Sequence, residues 1–205
     1  LPLQNRVRPD GEIVATPERG LLTGNRGCLH RADRRLGKAR WRSPAWLCCL
    51  LAYKDWYHGP MPPRRWTALF FLDEATALAA GHRPCAACRR EDWRLFLQAW
   101  ADGHGLARPP STAELDHALH AQRLEQSGKR SILMPAEHLP HGAMYREPGG
   151  SMFLVTRDGE LRWSFAGYAN RRERQTGVVE VLTPEGTLAA LGAGYRPRLH
   201  PSAGL

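Results

Sequence analysis

No stretch of this 205-residue chain approaches the ~20 apolar residues that a helix needs to cross a bilayer. The longest apolar run, Leu47 to Tyr53, is the length of a strand. The opening residues, Leu-Pro-Leu-Gln-Asn-Arg, lack the apolar core of a secretory signal, so a cytoplasmic protein with no membrane partner is expected. Internal repeats and low-complexity tracts are also lacking. Cysteine is sparse and odd in number: Cys28, Cys48, Cys49, Cys85 and Cys88. With no secretory signal, this set argues against a disulfide framework and toward a metal site or a reactive thiol.

Acidic residues are short in one half only. Residues 1–90 hold 16 Lys+Arg against 7 Asp+Glu, whereas residues 91–205 hold 13 of each, so the whole net charge of +9 falls in the first half. Its densest part runs from Arg26 to Arg42, where Arg26, Arg31, Arg34, Arg35, Lys38, Arg40 and Arg42 are opposed only by Asp33. Cations clustered in this way repel one another unless a polyanion neutralises them, which points to nucleic acid, DNA in the first instance. A solvated loop that only aids solubility is the alternative. Arg64 and Arg65, in a Pro- and Gly-rich loop from Lys54 to Arg65, extend the basic surface. Trp41, Trp46, Trp56, Tyr57 and Trp66 lie among these residues and offer rings on which unpaired bases could stack.

The local patterns predict an α+β fold. Ile13-Val14-Ala15, Leu21-Leu22-Thr23, Trp46 to Tyr53 and Trp66 to Leu72 read as strands, the last antiparallel to the one before it. Asp73 caps a helix that Gly81 ends, and Pro84 forbids its continuation. A second helix from about Glu91 to Ala101 presents Trp93, Phe96, Leu97 and Trp100 on one face. After a linker comes a third helix, Thr112 to about Gln126. Strands then follow at Ala143–Arg146, Ser151–Thr156, Leu161–Phe165 and Val178–Leu182, with a short helix from Thr183-Pro184 to Leu191. The expected organisation is a zinc-stabilised basic module over residues 1–102. A helix and a small β-rich region over residues 103–205 pack on it.

Cys85-Ala86-Ala87-Cys88, approached through Gly81-His82-Arg83-Pro84, carries the most specific signal. A Cys-x-x-Cys turn can aim two thiolates at one ion while backbone amides of the turn donate to the sulfurs. A thioredoxin-like redox pair would need a parallel strand before it, and the pattern here puts a helix there. A zinc deaminase would need an upstream His-x-Glu or Cys-x-Glu, and the chain contains neither. A closed zinc site takes four ligands, and the upstream candidates are Cys28, His30, Cys48 and Cys49. Adjacent strand residues face opposite ways, so one of Cys48 and Cys49 is expected to bind and the other to be core. The expected set is His30, Cys49, Cys85 and Cys88, with Cys48 or Cys28 as alternates.

The run Trp66-Thr67-Ala68-Leu69-Phe70-Phe71-Leu72-Asp73-Glu74-Ala75, continuing to Gly81-His82-Arg83-Pro84-Cys85-Ala86-Ala87-Cys88, resembles the metal-binding domain of Ada-type DNA alkylation-repair proteins. The likeness extends more weakly back to Gly24. The resemblance implies that Cys85 and Cys88 are zinc ligands, that His30 in Gly24-Asn25-Arg26-Gly27-Cys28-Leu29-His30 is another, and that the protein works on DNA damage or modified DNA. The chain departs from the pattern in having no Cys at positions 31–36, where the second ligand would follow the first. Cys48 or Cys49 fills that role only across the Arg-rich insertion.

One further constellation suggests catalysis. Asp116 and His120 stand at i, i+4 on the third helix with His117 beside them, suited to a hydrolytic metal or an acid–base pair in a nuclease- or glycosylase-like enzyme. The alternative is a solvated face opposite Leu115 and Leu119.

Overall fold

The computed structural model describes residues 2–54, 66–125 and 128–204. Strands β1 (Gln4–Val7), β2 (Ile13–Ala15), β3 (Leu22–Asn25), β4 (Leu47–Leu50), β5 (Leu69–Phe71) and β6 (Arg83–Pro84) form one mixed sheet in the order β2-β1-β5-β3-β4-β6. β3 lies between β4 and β5 and pairs antiparallel with both. The expectation that Trp66–Leu72 runs antiparallel to the Cys48-Cys49 strand is therefore corrected, since both run antiparallel to β3 and so parallel to each other. The Leu22–Asn25 segment takes the place between them, and Phe71 packs with Leu22 in the same core. β4 uses its other edge for β6, a parallel pairing of Leu47 with Arg83 and of Cys48 with Pro84.

Helix α1 (Glu74–Ala79) joins β5 to β6. Asp73 caps it, its carboxylate accepting from the Thr76 amide at 2.9 Å. Gly81 ends the turn with φ +87, a conformation that glycine reaches without a Cβ penalty. Arg123 also lies 2.8 Å from where a Cβ would stand, so the position suits glycine twice over. Helices α2 (Arg90–Gly103) and α3 (Thr112–Arg123) follow, the latter opened by a capping box between Ser111 and Glu114.

A short hairpin of β7 (Leu124–Glu125) and β8 (Gly128–Lys129) leads into β9 (Ile132–Pro135). With β10 (Met144–Arg146), β11 (Met152–Thr156), β12 (Gly159–Ser164), β13 (Gly167–Arg172) and β14 (Val178–Val181) it makes a second sheet, antiparallel throughout and ordered β13-β12-β11-β10-β14-β9. Helix α4 (Glu185–Gly192) packs against α2.

The fold is thus α+β, with mixed helices and strands in both halves. The largest apolar cluster joins Leu78, Trp93, Phe96 and Trp100 to Leu115, Tyr145, Phe153 and Tyr195, and so draws on both sides of residue 102. Among the described residues no helix is long and apolar enough to cross a membrane.

Candidate metal centre

Three cysteines meet where β4 lies alongside the turn that follows β6. The sulfurs of Cys49, Cys85 and Cys88 all lie within 4.8 Å of one another. Sulfurs around one ion at bonds of about 2.3 Å sit about 4 Å apart, so the three fit a single metal ion with small adjustment. The backbone builds this arrangement. The Cys85 amide donates to the Cys48 carbonyl at 3.0 Å, fastening the turn to β4, and the Arg89 amide donates to the Cys85 carbonyl at 3.0 Å as α2 begins. The Leu50 amide donates to the Cys88 sulfur at 3.4 Å.

The electrostatics favour thiolate at Cys85, while Cys49 and Cys88 are both raised. Hydrogen bonds from Cys49 and Cys88, together with the amides of Cys88 and Ala87, hold the Cys85 thiol far below the ordinary thiol range. The same bonds push Cys49 up, because it keeps the proton it shares. Even without an ion, the cluster therefore concentrates negative charge on Cys85. Cys49 and Cys88 are half-buried, so an ion can reach the sulfurs from that side.

The strand alternation separates the two neighbouring thiols. Cys48 is fully buried in the core with Leu22, Leu69 and Phe71, and Arg89 Nη1 stands 3.4 Å from its sulfur. Cys28 is exposed and apart from the cluster. His30 is not brought to it either. Its Nδ1 faces the Thr67 hydroxyl at 3.2 Å, and that hydroxyl also accepts from the Leu29 and His30 amides. Thr67 thus pins the segment at the mouth of the Arg-rich loop, and the expected ligand His30 is replaced by no other residue: among the described residues, the group contains the three cysteines alone.

Of the basic residues expected to meet nucleic acid, Arg26 is a correction. It is only 2% exposed, and its Nη1 donates to the Gly11 carbonyl. Its Nε lies 3.2 Å from His82, and its guanidinium stacks on Trp46 at 4.0 Å. Burial between these partners denies it a phosphate. Arg31, Arg34, Arg35, Lys38, Arg40 and Arg42 are exposed. None of the six enters an ion pair among the described residues, whereas Arg83, Arg89, Arg146 and Arg172 all do. Arg64 and Arg65 lie outside the described residues, as do Trp56 and Tyr57. Trp46 is buried, while Trp41 is 41% exposed and meets His120 edge-on at 4.4 Å.

Asp116 and His120 do not form the expected acid–base pair. Both carboxylate oxygens of Asp116 are taken by Arg83, Nε and Nη2 each at 2.7 Å, in a buried bidentate pair. His120 Nδ1 is 3.1 Å from Arg123 Nη2, and His117 is exposed with no hydrogen-bond partner among the described residues. Asp116 instead holds Arg83, two residues ahead of Cys85. Asp116→Ala is expected to destabilise the protein by about 3–5 kcal/mol, because it strands a buried guanidinium. Denaturant unfolding measures this, and a loss below about 1 kcal/mol would count against the pair's structural role.

The sequence pattern offered no sign of Arg89, which touches the Cys48 sulfur while bound to Glu74 at 2.6 Å and Asp92 at 2.8 Å. Its only legible signal is its place directly after Cys88. Compared with known proteins, the chain matches no family model, no curated sequence and no solved structure.

Proposed function

We propose that this chain is a zinc protein that binds DNA through the loop from Arg31 to Arg42 and acts in the recognition or repair of modified DNA. The observation that carries the reading is the contrast in charge pairing: six exposed cations share one loop with Asp33 as its single acid, and none of the six enters an ion pair among the described residues. A loop of this kind gains most from a polyanion. The resemblance of the Trp66–Cys88 run to Ada-type metal-binding domains supports the choice of DNA.

Cys49, Cys85 and Cys88 would hold the zinc, and their donor set suits it. Bound there, zinc would keep the three sulfurs deprotonated. The Arg-rich loop enters the sheet through β4, and Cys49 lies two residues along that strand from Leu47. An ion fastening Cys49 to the turn after β6 therefore stiffens the base from which the loop projects.

The test is a DNA titration across salt concentrations. With most of the six cations on phosphates, log K is expected to fall against log salt with a slope of about −4 to −5, at roughly 0.9 per contact. The triple variant Arg31→Ala, Arg34→Ala, Arg35→Ala is expected to flatten that slope by about 2–3. Salt-independent binding, or none, would leave a protein-interaction module with a structural ion as the better account.

A second reading draws on the partial exposure of Cys49 and Cys88. Either sulfur could accept an alkyl group from a DNA phosphotriester, forming S–C as the C–O bond of the ester breaks. A mass gain of one methyl on Cys49 or Cys88 after incubation with methylated DNA separates this from simple binding.

A further inference from the structure

The three sulfurs converge from two pieces of chain, β4 and the turn before α2, and no fourth His, Cys, Asp or Glu joins them among the described residues. Zinc is tetrahedral and must borrow a fourth ligand at such a site. A trivalent pnictogen behaves differently. It is soft, prefers thiolate, and makes three bonds with a lone pair in the fourth direction, so three thiols complete it.

The surroundings favour such an ion for a second reason. Zinc on three thiolates carries a net negative charge, whereas arsenic(III) on three thiolates is neutral. Arg89, which follows Cys88 directly, is already matched by Glu74 at 2.6 Å and Asp92 at 2.8 Å, and so has no charge to spare. A neutral adduct asks for none. Entry is open as well, since Cys49 and Cys88 are half-buried rather than sealed.

We propose that Cys49, Cys85 and Cys88 form a binding site for trivalent thiophilic ions of the arsenite class, which bond to all three sulfurs. Arsenous acid reacts with three thiols: three As–S bonds form, three As–O bonds break, and each thiol proton leaves with a hydroxyl as water. Oxidation states do not change, so no further reagent is required. The inference rests on the proposed centre only in needing these three sulfurs to hold one ion together.

The experiment uses the full chain, kept reduced with a phosphine, and sodium arsenite as the probe. One arsenic per chain is expected, with a sulfur-to-arsenic charge-transfer band. Of the five free cysteines, arsenite is expected to shield Cys49, Cys85 and Cys88 from iodoacetamide and leave Cys28 and Cys48 unchanged in reactivity. Cys49→Ser or Cys88→Ser should weaken arsenite binding more than about 100-fold, beyond the range typical of losing a supporting partner, while Cys28→Ser binds as the parent does. The shielding pattern needs only the parent protein, so it decides the matter even if a serine variant fails to fold.

Shielding of two cysteines or fewer, or shielding of Cys28 or Cys48, would overturn the proposal. Zinc content of the protein as purified is measured separately. Stoichiometric zinc that arsenite neither displaces nor competes with would sink this inference and leave the zinc reading standing. Arsenite bound to the three sulfurs in a protein that takes up no zinc would do the reverse.

Discussion

Glu74→Ala is expected to lower the unfolding free energy by about 3–5 kcal/mol, because it breaks a buried ion pair. Glu74 opens α1 and is fully buried. It pairs with Arg89 at 2.6 Å, accepts the Tyr195 hydroxyl at 2.6 Å and accepts the Arg198 amide at 2.9 Å. Its removal leaves the Arg89 guanidinium in the interior with Asp92 as its remaining carboxylate, and frees a buried tyrosine hydroxyl and an amide from their acceptor. Asp92 is the internal control, because it is 14% exposed and water can take its place. Asp92→Ala should cost distinctly less in the same denaturant titration. Equal losses would mean that Arg89 draws on both acids alike.

The second large effect is on metal. Cys85→Ser is expected to reduce zinc from about one ion per chain to nearly none, whereas Cys48→Ser keeps it, as counted by elemental mass spectrometry. The two differ because Cys85 is the sulfur toward which its neighbours donate, while Cys48 turns its sulfur into the core. An ion that binds only the folded chain adds about 4 kcal/mol when its free concentration is about 1,000 times the dissociation constant. Chelation should therefore lower the Tm of the parent protein and leave that of Cys85→Ser unmoved. Retained zinc in Cys85→Ser would remove the cluster as the binding site.

The parts legible in the sequence were those fixed by local chemistry. Asp73 as a cap and Gly81 as a stop each follow from a few neighbouring residues, and each stands where expected. The alternation of a strand was enough to part Cys48 from Cys49. Pairing partners were harder to read. β1 carries buried Asn5 and Arg6, and β6 is two residues long, so neither has an apolar pattern to find. The short parallel strand ahead of Cys85 went unforeseen for that reason.

Charge was the least legible feature. Arg26, Arg83, Arg89 and Arg123 are each 3% exposed or less, yet a count of cations treats them like the exposed ones. Arg26 and Arg123 both stack on Trp46, at 4.0 and 4.2 Å. Burial, with repulsion from Arg123 at Arg26 and from Arg83 at Arg123, brings each guanidinium down to about 9, so their charge is a cost carried inside the fold rather than a lure for DNA. Asp116 misled in the same way, because its partner Arg83 lies 33 residues earlier and on another element.

Beside the Thr67 hydroxyl, backbone hydrogen bonds close the mouth of the Arg-rich loop. The Arg42 and Ser43 amides both donate to the Arg26 carbonyl, at 2.7 and 3.2 Å, and the Thr67 amide donates to the Gly27 carbonyl at 3.0 Å. Gly27, at φ +96 with Arg42 only 2.7 Å from where a Cβ would stand, lets the two ends come together. Beyond the mouth, His30 bridges Leu36 and Leu36 packs on the core beneath the sheet, so the turn from Arg31 to Arg35 forms the tip. Residues added within the turn between Arg31 and Arg35 cost little more than the entropy of a longer closed loop, about 0.6 kcal/mol per doubling. The reach and charge of this projection can thus drift over generations while the thiol cluster beneath it keeps its geometry.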